Sequence, residues 1–282
     1  MSDKFVLTPR EDGRMLIAGH RGVSGANIPC NTLAAYNIAL LQGADIVELD
    51  VSRSRDGVLY AFHPGMEPAH TGSKRLISTR RAKSVDGMRF VNQDNVKTHY
   101  SISTLEQALL FLKDKCYINV DKFWTCPEEI TAVIRRTGTE SSVIIKTPAQ
   151  EKHFARVEKF AGDLMYMTVV SEQDDCSEKL LERNINYIGA EVLFSSDASP
   201  VVSNEYIKNM HAAGLSVWGN SIVYNERANI SAGHTDDAAL TESMDAGWGW
   251  FRDRGFDIVQ TDWVQMMREY LECGRSIYSP HA

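Results

Sequence analysis

Eight short apolar runs, most of them rich in β-branched residues, recur along the chain: "MLIAG" (15–19), "DIVELDV" (45–51), "CYINVD" (116–121), "SVIIKT" (142–147), "MYMTVV" (165–170), "YIGAEVLF" (187–194), "LSVWGN" (215–220) and "DIVQTD" (257–262). Their length and composition predict about eight strands. Between them the period changes. "NTLAAYNIALLQGA" spaces its apolar residues at helical intervals and ends on Gly43, and "STLEQALLFLKDK" opens with Ser103 and Glu106 at capping-box spacing. Pro127 and Gly214 punctuate two further helices, "PEEITAVIRR" and "SNEYIKNMHAAG". Strand then helix, repeated about eight times over roughly 250 residues, predicts an α/β fold, a (β/α)8 TIM barrel, with a doubly wound open sheet as the alternative. No linker-like stretch divides the chain, so residues 1–282 read as a single domain. Regularity lapses only between His63 and Ser101, where polar, weakly periodic sequence predicts an insertion over about 64–101: a lobe, a long loop or a lid.

A barrel of this kind gathers its chemistry at the C-terminal ends of the strands. Those ends hold His20 and Arg21, then Glu48 and Asp50, Asn119 and Asp121, Lys146, Glu191 and Trp218. Residues two apart on a strand share a face, so Glu48 and Asp50 point together into the barrel while Val47, Leu49 and Val51 face the helices. Two buried carboxylates on one face repel unless a cation lies between them. With Asp121 from the neighbouring strand they form three oxygen ligands suited to one hard divalent cation, Mg2+ or Ca2+; the competing reading pairs the acids with Arg21 or Lys146. His20, and His63 after the Asp56-Gly57 hairpin, flank this cluster and suit an acid and base pair. His70, His99, His153, His211, His234 and His281 read as surface or filler. Glu191 and Trp218 are pocket candidates, the first for a substrate hydroxyl or Lys146, the second as a wall; "WGWF", with Trp248 and Trp250, reads as packing.

The formal net charge of −7 and the lack of a long basic block discount nucleic acid and lipid surfaces as partners. One local cluster, Lys74, Arg75, Arg80, Arg81 and Lys83, either attracts an anionic substrate or is a solvated surface. The opening "MSDKFVLTPREDGR" carries no secretory core and no run reaches membrane-spanning length, so a cytoplasmic protein without stable membrane insertion is expected; the sequence leaves the oligomeric state open. Five scattered cysteines read as reduced thiols.

"GHRG", then "PCNTLAAYNIALLQGADIVELDVSRSRDGVLYAFHP", "ISTLEQAL" and "INVD", resemble in order the HRG, ENT, GAD, ExD, DG, HD and PTLEE-like motifs of the glycerophosphodiester phosphodiesterase family. The resemblance is specific over residues 15 to 121 and extends more weakly to "DIVQTD". It implies a TIM barrel with a small insertion after the second strand's hairpin, and metal-dependent hydrolysis of a small-molecule glycerophosphodiester to an alcohol and glycerol 3-phosphate. It puts His20 and His63 in the acid and base places, Arg21 on the phosphate, and Glu48, Asp50 and Asp121 on the metal. A non-catalytic relative binding a phosphorylated ligand, and a lyase that stops at a cyclic phosphate, are the alternatives. Four positions depart from the family pattern: Cys30 replaces Glu, Pro64 replaces Asp, Phe123 replaces Lys, and Asp121 replaces the commoner Glu. Lys146 either supplies the missing cation or pairs with Asp121 or Glu191; Lys122 is its rival, but strand alternation points it away from Asp121's side.

Overall fold

All eight apolar runs form strands in the computed structural model, which describes residues 5–223 and 229–273. They are β1 (Leu16–Gly19), β2 (Ile46–Arg53), β6 (Tyr117–Asp121), β7 (Val143–Pro148), β8 (Met165–Ser171), β9 (Tyr187–Leu193), β10 (Ser216–Asn220) and β11 (Ile258–Thr261); the remaining strands are β3 (Leu59–Ala61), β4 (Arg89–Val91) and β5 (Lys97–Ser101). The eight pair in parallel in chain order, and β1 pairs with both β2 and β11, which closes the barrel. The open-sheet alternative is thereby excluded.

Alternation along the strands builds two cores. Val47, Leu49 and Val51 pack outward among helix residues such as Leu105, Leu109 and Ile130. Ile46, Ile144, Met165, Trp218 and Ile258 fill the barrel interior toward the N-terminal ends of the strands. Above that apolar plug the inward positions turn polar. Register sets Glu48 opposite Asn119 and Asp50 opposite Asp121, so the β2 acids and the β6 acid stand side by side.

The helix Leu105–Leu112 does begin with a capping box, but one residue later than the Ser103 and Glu106 spacing predicts. Thr104 accepts from the Gln107 N–H while the Gln107 side chain accepts from the Thr104 N–H. Serine and threonine are equivalent caps in sequence, and backbone conformation decides between neighbours. The stretch after His63 is also more ordered than its polarity suggests. It forms helices Glu67–Thr71 and Ala82–Asp86, a one-turn helix Ile77–Thr79 and the β4–β5 hairpin, gathered on Tyr60, Phe62, Ile77, Val85, Phe90 and Ile102. Elements of three to five residues are too short to show a period.

The turn after β1 carries a tight steric demand next to the site. Arg21 and Gly22 both have positive φ, 58° and 77°. A Cβ on Gly22 would sit 2.6 Å from the Ala35 carbonyl carbon, in the backbone of the helix Leu33–Leu41. Left-handed geometry and backbone contact both require glycine there. Gly22→Ala is therefore expected to lower stability by about 2 kcal/mol or more. Urea unfolding checks this, and a midpoint equal to wild type would refute it.

Candidate active site

Two acids on β2 define the site. Asp50 is 1% exposed and Glu48 is 3% exposed, and each is held by the segment that follows β1. Arg21 donates its backbone N–H to Glu48 Oε2 (2.8 Å) and places its guanidinium Nε 2.9 Å from Asp50 Oδ2. The left-handed φ of Arg21 makes this double engagement possible, because it turns backbone and side chain toward the same strand. Asn31, also at positive φ, donates to Asp50 Oδ2 (2.9 Å), accepts from the Asp50 N–H (3.2 Å) and accepts from the Tyr36 hydroxyl (3.1 Å).

Glu48, Asp50 and Asp121 each bring a carboxylate oxygen within 4.8 Å of the others. Burial, with the Asp50 charge beside it, pushes the Glu48 pKa up to about 8. Asp50 is buried too, yet Arg21, Lys122 and His63 together hold its pKa below the usual carboxylate range. Its Oδ1 is buried without a hydrogen-bond partner. An orphaned carboxylate oxygen and a second carboxylate that resists ionisation are what an oxygen-ligand set shows without its cation, so these residues could hold a hard divalent metal ion.

The two histidines are placed differently. His20 Nδ1 lies 2.9 Å from Asp262 Oδ1 at the end of β11. Burial would lower its pKa, but Asp262 and Glu48 outweigh that and raise it. With Nδ1 donating to Asp262, Nε2 is left for another partner. Asp262 is fixed in turn, since its N–H donates to the buried Asp236 (2.9 Å), which also accepts from Ser221, Trp248 and Thr261. His63 Nδ1 donates to the Pro64 carbonyl (2.9 Å), and its Nε2 stands 3.9 Å from Asp50 Oδ1 without a hydrogen bond. Burial lowers its pKa.

The cations rearrange the expected pairing. Lys122 has φ 62° and therefore leaves the strand alternation that would turn it away. Its ammonium pairs with Asp121 and lies 3.6 Å from Asp50 Oδ1. Burial opposes its charge, but Asp121 and Asp50 prevail and raise its pKa. Phe123, where the resemblance expects lysine, is fully buried in the outer core. Lys146 lies deeper and is 2% exposed; it pairs with Glu191 at 2.7 Å, not with Asp121, and sits 3.0 Å above the centre of the Trp218 ring. Asn220 donates to the other Glu191 oxygen (2.8 Å).

A cavity of about 340 Å³ opens above these groups, lined on its polar side by His20, Arg21, Glu48, Asp121, Lys122 and Glu191. Trp124, Pro148, Val169, Leu193, Ile222 and Ile230 form its apolar side. Lys146, Trp218 and His63 do not line it: Lys146 and Trp218 form the floor beneath Glu191, and His63 stands against Asp50. Trp218 as a cavity wall is thus corrected, because its ring is covered by the Lys146 ammonium and is fully buried in the barrel's apolar interior. A second cavity, about 490 Å³, lies at the opposite end of the barrel among Leu7, Met15, Ser216 and Asp257, away from the strand ends that carry chemistry.

Several groups escaped the sequence reading. Asn31 and Asp262 were visible as the polar residues of "CNT" and "QTD", but only the fold shows what each touches. Among the histidines read as filler, His234 stacks on Trp250 and contacts Asp197, His211 pairs with Asp257, and His153 is buried; His281 lies outside the described residues. The "WGWF" tryptophans do pack: Trp248 is buried and Trp250 stacks on Phe194.

A family model described as a domain of unknown function (DUF4996) matches residues 166–271. Among curated proteins, a probable glycerophosphodiester phosphodiesterase 1 of Mycobacterium tuberculosis is 43% identical over 67 residues, which is 24% of either chain. A probable glycerophosphodiester phosphodiesterase 2 of the same species is 27% identical over 220 residues, covering 74% of this chain and 79% of that one. The 67-residue match thus spans about a quarter of its relative, while the 220-residue match runs through most of the barrel. A solved glycerophosphoryl diester phosphodiesterase from Parabacteroides distasonis superposes with a TM-score of 0.73 at 18% identity, covering 98% of this chain and 91% of that chain. An Oleispira antarctica phosphodiesterase, solved with its product sn-glycerol-3-phosphate, gives 0.68 at 18% identity over 93% and 98%. The solved structures share the barrel and the curated relatives share stretches of its sequence, so the chain is similar to glycerophosphodiester phosphodiesterases in both.

Proposed function

We propose that the protein is a metal-dependent phosphodiesterase that hydrolyses a glycerophosphodiester to an alcohol and glycerol 3-phosphate. The observation that carries this reading is the convergence of Glu48, Asp50 and Asp121 within 4.8 Å, with Glu48 and Asp121 lining one cavity together with Arg21 and His20. Relatives bearing the name and a solved neighbour holding the product support the same substrate class. A divalent cation held by the three carboxylates, Mg2+ or Ca2+, would supply positive charge to the phosphoryl oxygens.

The chain's own residues do the rest. Arg21, held beside Asp50 by their ion pair, offers its guanidinium donors to a phosphoryl oxygen. Lys122 adds a second fixed charge at the cavity wall, the place the sequence reading left to Lys146. His20, held through Nδ1, presents Nε2 for proton transfer, and His63, with Nε2 unpartnered, serves as the opposite member of the acid and base pair. Glu191 keeps lone pairs for a glycerol hydroxyl, while Lys146 and Trp218 hold it from below.

Glycerophosphocholine and glycerophosphoethanolamine with Mg2+ or Ca2+ should release the alcohol and glycerol 3-phosphate. His20→Ala and Asp50→Ala should each cut turnover by about a hundredfold or more. Full activity in either variant removes that residue from the mechanism. Phosphorus NMR separates hydrolysis from a cyclic end product, and no turnover with retained phosphate binding would favour a binding protein.

The two lysines make contrasting predictions. Lys122→Met should lower turnover with a near-normal melting temperature. Lys146→Met strands the Glu191 carboxylate in the interior and should cost about 3 kcal/mol of stability in urea unfolding. Equal behaviour of the two variants in both assays would contradict the division of roles.

The Glu48 pKa sets a pH test that needs no turnover. Its folded value of about 8 stands above the ordinary 4.5, so the folded metal-free protein holds a proton that the unfolded chain has released. Glu48's contribution to stability is therefore greatest below the unfolded value and is lost as pH rises toward 8. A divalent cation competes with that proton and should raise the melting temperature more at pH 8 than at pH 5. Melts with and without Mg2+ or Ca2+ decide it: a cation-induced shift that is the same at both pH values would be inconsistent with ligation through Glu48.

A further inference from the structure

The net charge of the whole chain discounts a lipid surface as a partner, but that charge is uneven: the inserted lobe carries charge opposite to the rest of the chain. Residues 64–101 hold seven Lys and Arg against three Asp and Glu, a net +4 in a chain of −7, which leaves −11 on the remainder. Five of the seven cations, Lys74, Arg75, Arg80, Arg81 and Lys83, fall in one ten-residue segment, 74–83, that contains no acid. Four of them are exposed and Arg80 is partly so.

This segment is built into the lobe. Ile77 is fully buried in the lobe's core and its N–H donates to Glu67 Oε1 (2.7 Å). The Arg80 carbonyl accepts from the Arg55 N–H (2.7 Å), and the Ala82 N–H donates to Asp56 Oδ1 (2.8 Å), so the segment is fastened to the β2–β3 turn. That hairpin carries Asp50 at its base and leads to His63. Arg75 and Arg80 are held by neutral acceptors: Thr79 for the first, Ser73, Ser84 and the Arg75 carbonyl for the second. Among the described residues, none of the five cations lies within ion-pair distance of a carboxylate. Leu76 projects among them and is 41% exposed.

We propose that segment 74–83 docks the protein on the surface of an anionic lipid bilayer, its five cations at the headgroups and Leu76 at the acyl boundary. A cationic surface with an apolar tip is what the bilayer interface selects. The acidic remainder is repelled by the same surface, so the charge asymmetry orients the molecule lobe-first. A single-stranded nucleic acid would call for aromatic stacking among the cations, and segment 74–83 contains no aromatic residue. Because it rests on the charge and fastening of the lobe, the docking is independent of the proposed turnover.

The test is co-sedimentation of the full chain with vesicles of phosphatidylcholine alone, or with about one-third phosphatidylglycerol. The protein should pellet with the anionic vesicles only and be released at about 0.5 M salt. The triple variant K74E/R81E/K83E spares Arg75 and Arg80, which tie the segment together, and lies outside the candidate active site. It should lose at least about a hundredfold in vesicle affinity with an unchanged melting temperature. Should it fail to fold, the single variants R81E and K83E should each show a several-fold loss. Equal pelleting with neutral vesicles, no pelleting with either, full binding by the charge-reversed variants, or tighter binding to a single-stranded RNA oligonucleotide than to anionic vesicles would overturn the proposal.

Discussion

The ion pair between Arg21 and Asp50 is the interaction on which the site depends. Asp50 is almost completely buried, and an uncompensated charge there would cost several kcal/mol. Arg21 compensates it only because the chain after β1 turns left-handed, and that turn is open only because Gly22 lets the helix backbone at Ala35 approach. Asn31 completes the arrangement by binding both the side chain and the backbone of Asp50 while resting on Tyr36. A steric condition on one glycine is thereby converted into the position of two acids, since the same Arg21 backbone also binds Glu48.

Charge inside the barrel is organised in two tiers. The lower tier is neutralised: Lys146 and Asn220 each bind one Glu191 oxygen and the Trp218 ring lies under the ammonium, so its charge is balanced while Glu191 keeps acceptor capacity toward the cavity. The upper tier is open. Glu48, Asp50 and Asp121 face one another with Lys122 at their edge, Asp50 Oδ1 lacks a hydrogen bond, and Glu48 tends to keep its proton. Unspent binding capacity therefore sits at the strand ends next to the cavity, with a rigid polar floor below it.

The barrel was legible because eight apolar runs and their intervening helical periods repeat a simple rule, and the acid pair was legible because alternation on β2 is strict. What escaped notice depends on backbone conformations that composition does not report. Lys122 looked misdirected because alternation was extended one residue past the strand, into a position with φ 62°. Trp218 looked like a wall because strand position gives a face but not a depth, and the barrel's apolar plug reaches higher on β10 than the pattern suggests. Asp262 and Asp236 join the site through the end of β11, and their partners are more than two hundred and about twenty-five residues away in sequence.

The departures from the family pattern also acquire a common physical meaning. Cys30 stands where the pattern has a carboxylate, and burial pushes its thiol up to about 12, so it stays neutral beside Arg21. Pro64, in place of an aspartate, offers His63 only a carbonyl. The cation lost at Phe123 is recovered one residue earlier by Lys122. Two negative charges are removed while the positive ones are kept, and Arg21 and Lys122 are left with fewer competitors for an incoming anion. In a low-dielectric cavity such a change strengthens the attraction for an anion. Under the proposed function the substitutions thus bear on how tightly the substrate or product is held, and they leave the geometry of the acid cluster intact.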